Sequence, residues 1–420
     1  MASQDFEKAL SVGRPPNIRK LFPNSKALIV SGKVIDQALL KKGKCMTIAA
    51  NGRNIFVIEG ALRAAQKADA AIIIEIAKSE ATYCPTTLFN IARRTDALMN
   101  QYGITVPVAI HADHYFIKGQ KDLDQAKMEI PALFEQGVTS IAIDASHLPD
   151  ADNLKTNIEL APLIPTWAGY ETEVGEIKGT QGLSTPDEAL FLIRGLNAHG
   201  FFPDWIALNN GTTHGIEDTG AGIQVELTRK IHEALEPYGT SGAQHGTSGN
   251  HSDRLREIAE KTHTTKANVA TALQMVAWGV KVNEYGNAIM DNGEFAKVPG
   301  KGLSEELWAE MKAYADEKGI KGGNYKKLNL PFERRMQGQT AEVRERMVQG
   351  VEDFVYDMLV NVFNAQGSAS VAIELLARKG FDMGVKAGIV ENIAQWSEDK
   401  YRARAAAMDT DKGPQGDFDD

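Results

Sequence analysis

An alternation constrains this chain more than any other feature. Eight short β-rich runs recur along it, most of them separated by about 20–30 residues of helical pattern. The runs are CMTIAAN at 45–51, AAIIIEIA at 70–77, PVAIHAD at 107–113 and SIAIDAS at 140–146. They continue with AGYETEVG at 168–175, DWIALNN at 204–210, SGAQHGT at 241–247 and VKVNEYG at 280–286. A gap of that size holds a loop, a helix and a return, which is what a parallel strand pair needs. Eight such units over about 250 residues match a (β/α)8 barrel. An open doubly wound sheet is the competing arrangement.

The polar residues favour the barrel. The third run ends in HADH, the fifth in ETEVGE, the sixth in NNGTTHG, the seventh in QHGTSG, and the eighth holds VNEYG. In a closed barrel these strand ends form one ring at one face, where barrel enzymes carry their chemistry. In an open sheet they would be strung along a line. The expected α/β fold is therefore a TIM barrel over 41–300, after an N-terminal extension at 1–40. The stretch 250–275 reads as two helices in the connection between the seventh and eighth strands, with Thr264 or Thr265 capping the second. Residues 301–405 read as a helical extension, and the polar, acidic end at 406–420 reads as disordered.

Composition excludes several classes of function. The net charge is −9, which argues against a nucleic-acid or anionic-membrane partner. No apolar run approaches the roughly 18 residues of a membrane span. The first residues, MASQDFEKAL, lack the pattern of a signal peptide, and two cysteines are too few for a disulfide framework. The expectation is a cytoplasmic protein.

Four of the nine histidines, His111, His114, His214 and His245, fall at expected strand ends. Imidazole is the commonest ligand of zinc and similar ions, and a catalytic site uses about three protein ligands. His114, His214 and His245 supply three from different strands, with Glu173 as an additional candidate. His111 and Asp113 are two apart and share a strand face. The extended segment cannot put all three of its polar side chains on one ion. His114 is therefore assigned to the metal, Asp113 to proton transfer and His111 to support of the ligands. After His245, the turn Gly246–Gly249 is a candidate anion cradle through Gly246 and Ser248, and Gly215 is another.

The motifs together resemble the class II, metal-dependent fructose-1,6-bisphosphate and tagatose-1,6-bisphosphate aldolases. VPVAIHADH resembles the family's strand ending in H-x-D-H, and SIAIDASHLP its fourth-strand segment. ETEVG at 171–175, THG at 213–215, HGTSG at 245–249 and KVN at 281–283 resemble the later motifs in order. The resemblance implies Zn²⁺, or another divalent metal, on His114, His214 and His245, with Glu173 ligating or close by. It implies that Asp113 exchanges the proton of the C4 hydroxyl and that a metal-stabilised enediolate follows. Asn283 would meet the ketose end, and Gly215, Gly246 and Ser248 its phosphate. A sugar phosphate or related ketose is the implied substrate, and a homo-oligomer, dimer or tetramer, the implied assembly.

The chain also departs from the family. The Glu of the mobile loop after E-x-E-x-G has no counterpart in EIKGTQGLSTPDEA, and Glu176 is the stand-in acid. Thr185-Pro186-Asp187-Glu188 reads instead as a helix cap, with a proline at the first helical position and a capping-box Glu. The family's phosphate-binding Lys and Thr fall near Asp218 and Gly286. The leading reading is a zinc-dependent aldolase. The alternatives are a metal-dependent lyase or epimerase on another polyol, and a non-catalytic aldolase-like binding subunit.

Overall fold

The computed structural model describes residues 2–175, 182–211, 222–248, 250–283, 286–291 and 294–408. Eight parallel strands close on themselves. They are β1 (Thr47–Asn51), β2 (Ile72–Ala77), β3 (Val108–Phe116), β4 (Ser140–Asp144), β5 (Gly169–Val174), β6 (Trp205–Leu208), β7 (Ser241–Gln244) and β8 (Thr264–Val269). Each pairs with the next, and β8 returns to β1 through Thr47–Lys266 and Ala50–Val269. This is a (β/α)8 barrel.

One strand expectation is corrected. The eighth strand is Thr264–Val269, not the run at 280–286, and a single helix, Ser252–Lys261, lies between β7 and β8. The strand was hidden because its two polar side chains, Lys266 and Asn268, point into the barrel, where apolar residues are expected. β-Branched Thr264, Thr265 and Val269 nonetheless suit an extended backbone. The segment after it forms a helix, Thr271–Trp278, and the alternation of Val280 and Val282 serves two isolated antiparallel bridges, to Lys297 and Ala288.

The two ends of the barrel are built differently. At the N-terminal end, helix α1 (Gly32–Lys42) lies across the opening, and Ser31 caps it by accepting a hydrogen bond from Lys33 N. Helix α2 (Ile55–Ala68) follows β1 and packs against α3 (Ala341–Asp357) of the C-terminal segment. Helix α4 (Ser368–Lys379) packs on α1. The cap expected at Thr185 is present: its hydroxyl accepts from Glu188 N at 3.2 Å, and Glu188 Oε2 accepts from Thr185 N at 2.9 Å. No helix of the described residues is long and apolar enough to cross a membrane.

Candidate active site

Side chains two apart share a strand face, so β2, β3, β5 and β8 each aim polar groups at the barrel axis. These are Glu75, His111 with Asp113, Glu171 with Glu173, and Lys266 with Asn268. All but Asn268 are at most 3 % exposed. Such groups are tolerated in a core only when they answer one another.

Lys266 answers most of them. Its Nζ donates to Glu171 Oε2 at 2.8 Å and to His111 Nε2 at 3.0 Å. Glu75 Oε2 lies 3.5 Å away and Asp113 Oδ1 3.6 Å away. Burial works against the ammonium, but Glu171, Glu75 and Asp113 outweigh it and raise its pKa. Burial would raise Glu171, yet Lys266, then a hydrogen bond from His245, hold it well below the usual carboxylate range. Burial, then Lys266, lower His111 to about 3. His111 is thus neutral near pH 7. With Nε2 accepting from Lys266, Nδ1 carries the proton and donates to Ser140 Oγ at 2.7 Å. His111 supports the site from below, as its place in the sequence suggested.

Above this layer β3 changes register. Its pairing with β4 shifts between Ala112 and Tyr115, so Asp113 and His114 occupy a bulge, with His114 at φ +40°. The bulge lets two consecutive side chains serve one cleft. His114 Nε2 faces His245 Nδ1 at 2.9 Å. His114 Nδ1 lies 3.3 Å from both Asp144 Oδ2 and Glu173 Oε1, and Glu173 Oε2 is 3.9 Å from His245 Nδ1. His245 Nε2 meets Glu171 Oε1 at 2.8 Å, which orients the ring. Gly246, at φ +58°, turns the chain after His245, a backbone conformation that suits glycine.

His114 lies with Asp113 and His245 in one group, and with Asp144 and Glu173 in another, whose ligand atoms are close enough together to hold a divalent cation. Ligand atoms about 2 Å from a tetrahedral ion stand roughly 3.4 Å apart. Glu173 is buried, and its Oε1 meets His114 Nδ1 as an ion pair. Burial, then the neighbouring Asp144 charge, raises the Glu173 pKa, whereas Glu173, Asp113 and Asp144 hold His114 well above the usual imidazole range against its burial. The pocket has a local excess of negative charge.

Asp113 lies beside this group. Its Oδ1 accepts from Asn268 Nδ2 at 2.8 Å. Burial opposes its ionisation, but His114 and then Lys266 keep its pKa low. Glu75 behaves oppositely: burial, then the Asp113 charge, push its pKa well above the carboxylate range. Asn51, Glu75, Asp113, His114, His245, Gly246, Ser248, Asn268 and Thr271 line one cleft. Arg53 closes its side, donating to Glu80 Oε1 at 2.5 Å and approaching Thr271 Oγ1 at 3.4 Å.

Of the expected site residues, the structure brings Asp113, His114, Glu173, His245, Gly246 and Ser248 together. Glu176, His214 and Gly215 lie outside the described residues. Asn283 is corrected: it sits in a turn after the helix that follows β8, where its Oδ1 accepts from Asn287 N at 3.0 Å. The Lys-x-Asn triplet on the eighth strand is Lys266–Asn268, and Thr271 follows it into the cleft. The residues missed in the sequence are Glu75, Asp144, Glu171, Lys266 and Asn268. A lone Glu inside IIIEIA was the readable sign, because a charge within a buried strand needs a partner.

The fold is a (β/α)8 barrel with a candidate metal site at the C-terminal ends of its strands. Residues 33–322 match the family described as fructose-bisphosphate aldolase class-II, and the chain belongs to that family. It is a carbon–carbon lyase. A fructose-bisphosphate aldolase of Streptococcus pneumoniae serotype 4 is 30 % identical over 258 residues, covering 59 % of this chain and 80 % of that protein. One from Streptococcus pyogenes serotype M3 is 28 % identical over 263 residues, with the same coverage. Among solved structures, the YdjI aldolase of Escherichia coli K12 is similar in fold at a TM-score of 0.55 and 15 % identity, covering 81 % of this chain and 99 % of that one. A putative fructose-1,6-bisphosphate aldolase of Coccidioides immitis is similar at 0.54 and 16 %, covering 80 % and 96 %.

Proposed function

We propose that this chain is a zinc-dependent aldolase that cleaves, and in reverse forms, a ketose phosphate or related ketose. One observation carries the reading: an ionised Asp113 stands directly beside the His114–His245–Glu173 group in one cleft. His114, His245 and Glu173 would hold the cation, with His214 joining them by family resemblance. When bound, the cation supplies a Lewis acid for negative charge developing on the ketose oxygens.

The chain's own residues supply the proton chemistry. Asp113 takes the proton of the hydroxyl on the carbon that becomes the aldehyde, as the neighbouring carbon–carbon bond breaks. Asn268 fixes the carboxylate through one oxygen, and Lys266 below keeps it ionised. Glu75, whose pKa burial and then the Asp113 charge raise, lines the cleft beside it. Gly246 and Ser248 present a turn suited to the phosphate. The family resemblance extends the proposal to a homo-oligomer acting in the cytoplasm.

The test joins metal analysis to an assay of fructose 1,6-bisphosphate and other ketose phosphates. Bound zinc, cleavage lost on chelation and cleavage restored by zinc support the reading. Full activity in metal-free protein sinks it.

A further inference from the structure

The opposite end of the barrel carries a second cavity, of about 590 Å³. That is the size of a small-molecule pocket, roughly 300–1,000 Å³. It forms where three parts of the chain meet. α1 contributes Leu40 and Lys41, the approaches to β7 and β8 contribute Glu236, Thr240 and His263, and the C-terminal segment contributes Leu375, Arg378, Lys379, Met383, Val385 and Lys386. That segment lies beyond the family match at 33–322.

The lining has a definite chemistry. The lining holds four cations, Lys41, Arg378, Lys379 and Lys386, and one carboxylate, Glu236, in a chain whose net charge is −9. Lys41 pairs with Glu374 at 2.7 Å, Lys379 donates to Gln37 Oε1 at 3.2 Å, and Lys386 is held by Asp36. Arg378 makes no hydrogen bond or ion pair with any described residue. The Thr240 hydroxyl is buried without a hydrogen-bond partner. Leu40, Leu375, Met383 and Val385 give the cavity apolar walls. A strongly basic rim over apolar walls, with an orphan hydroxyl, suits an anion with a carbon body better than a bare ion.

We propose that this cavity binds an organic anion of metabolite size. Its phosphate or carboxylate head would lie against Arg378 and Lys379, and its body against Leu40, Leu375 and Met383. The ligand would join the C-terminal segment to the start of β7, the strand that leads to His245 at the active site.

Titration calorimetry on the full chain tests this, with adenosine 5′-monophosphate, tricarballylate and orthophosphate as probes. The comparison protein is R378E/K379E, both exposed and remote from the cleft, so cleavage activity should be unchanged; R378Q/K379Q serves as a milder pair. At least one organic probe should bind saturably, and at least about tenfold more weakly to the variants. Added salt should weaken it further. Binding of the nucleotide alone identifies a phosphate ester, and of tricarballylate alone a polycarboxylate. Three results overturn the proposal: no saturable binding up to about 5 mM, binding unchanged in both variants, or orthophosphate binding as tightly as the organic probes. None of these touches the aldolase reading, which rests on the other end of the barrel.

Discussion

Two lysines, Lys266 fully buried and Lys386 partly so, serve opposite halves of this barrel. Lys386 reaches from the C-terminal segment under the strands. There it is held by Asp36 Oδ2, by Asp204 O at 3.0 Å and by Ser241 Oγ at 2.9 Å. Asp36 is further fixed by Thr265, which also accepts from Trp205 Nε1. The polar groups around Lys386 form a closed set. Lys266, near the other end, donates to two groups and stands among more acceptors than it can serve. Glu75 Oε2, Asn51 Oδ1 and Asn268 Oδ1 are buried there without hydrogen bonds. A saturated network holds structure together. An unsaturated one keeps acceptors ready for what binds.

Replacing each lysine should separate the two roles. Lys266→Met leaves Glu171, Asp113 and Glu75 together without their cation. It should cost about 3–5 kcal/mol of stability and sharply lower cleavage, because Asp113 keeps His114 but loses Lys266, the second charge that favours its ionised form. Chemical denaturation and an aldol cleavage assay read the two effects. The double variant K266M/E171M should regain part of the stability and none of the activity. A stable, fully active K266M would break the comparison.

Asp113→Asn tests the open network without disturbing its shape. The amide preserves volume and can still pair with Asn268, so stability should change by less than about 1 kcal/mol. The value of kcat should fall by about 10²–10⁴ with KM little changed, as expected for loss of a positioned base. Retained activity would move the proton transfer to another residue.

Lys386→Met tests the closed network. It strands Asp36 and should lower stability by roughly 3 kcal/mol, while kcat/KM per folded molecule stays at the wild-type level. A loss of activity at unchanged stability would show that the lower network reaches the chemistry.

The sequence made the barrel legible because seven of its strands are short β-rich runs, most of them separated by regular stretches of helical pattern. The eighth was misplaced because Lys266 and Asn268, the residues that matter most there, break the apolar pattern. Asp113, His114 and His245 were readable from residue type at strand ends. The layer below was not. Glu171, Glu75 and Lys266 are ordinary charged residues in sequence, and only the closure of β8 onto β1 brings Lys266 to the carboxylates of β2 and β5. Local patterns report which face a side chain takes, not which distant charge it meets.

The smallest expected effect comes from a group that belongs to neither network. His232 packs on the outside of β7, close enough that a Cβ on Gly242 would lie 2.1 Å from its Cε1. Both ring nitrogens are buried without hydrogen-bond partners, and burial, then the nearby His263, lower its pKa to about 3. The unfolded chain takes up a proton on this ring near pH 6.5, while the folded chain does so only near pH 3. Stability is therefore complete above about pH 6.5 and falls through the window below it, at up to about 1.4 kcal/mol per pH unit. His111 adds a slope of the same sign, and Asp204, raised to about 6 by burial, opposes it in the upper part of that window. His232→Phe keeps a ring against Gly242 and removes one titration. Its stability at pH 7 should change little, its acid-unfolding midpoint should shift to lower pH, and its cleavage rate should match the wild type. An unchanged midpoint would mean that the acid response belongs to the active-site layer.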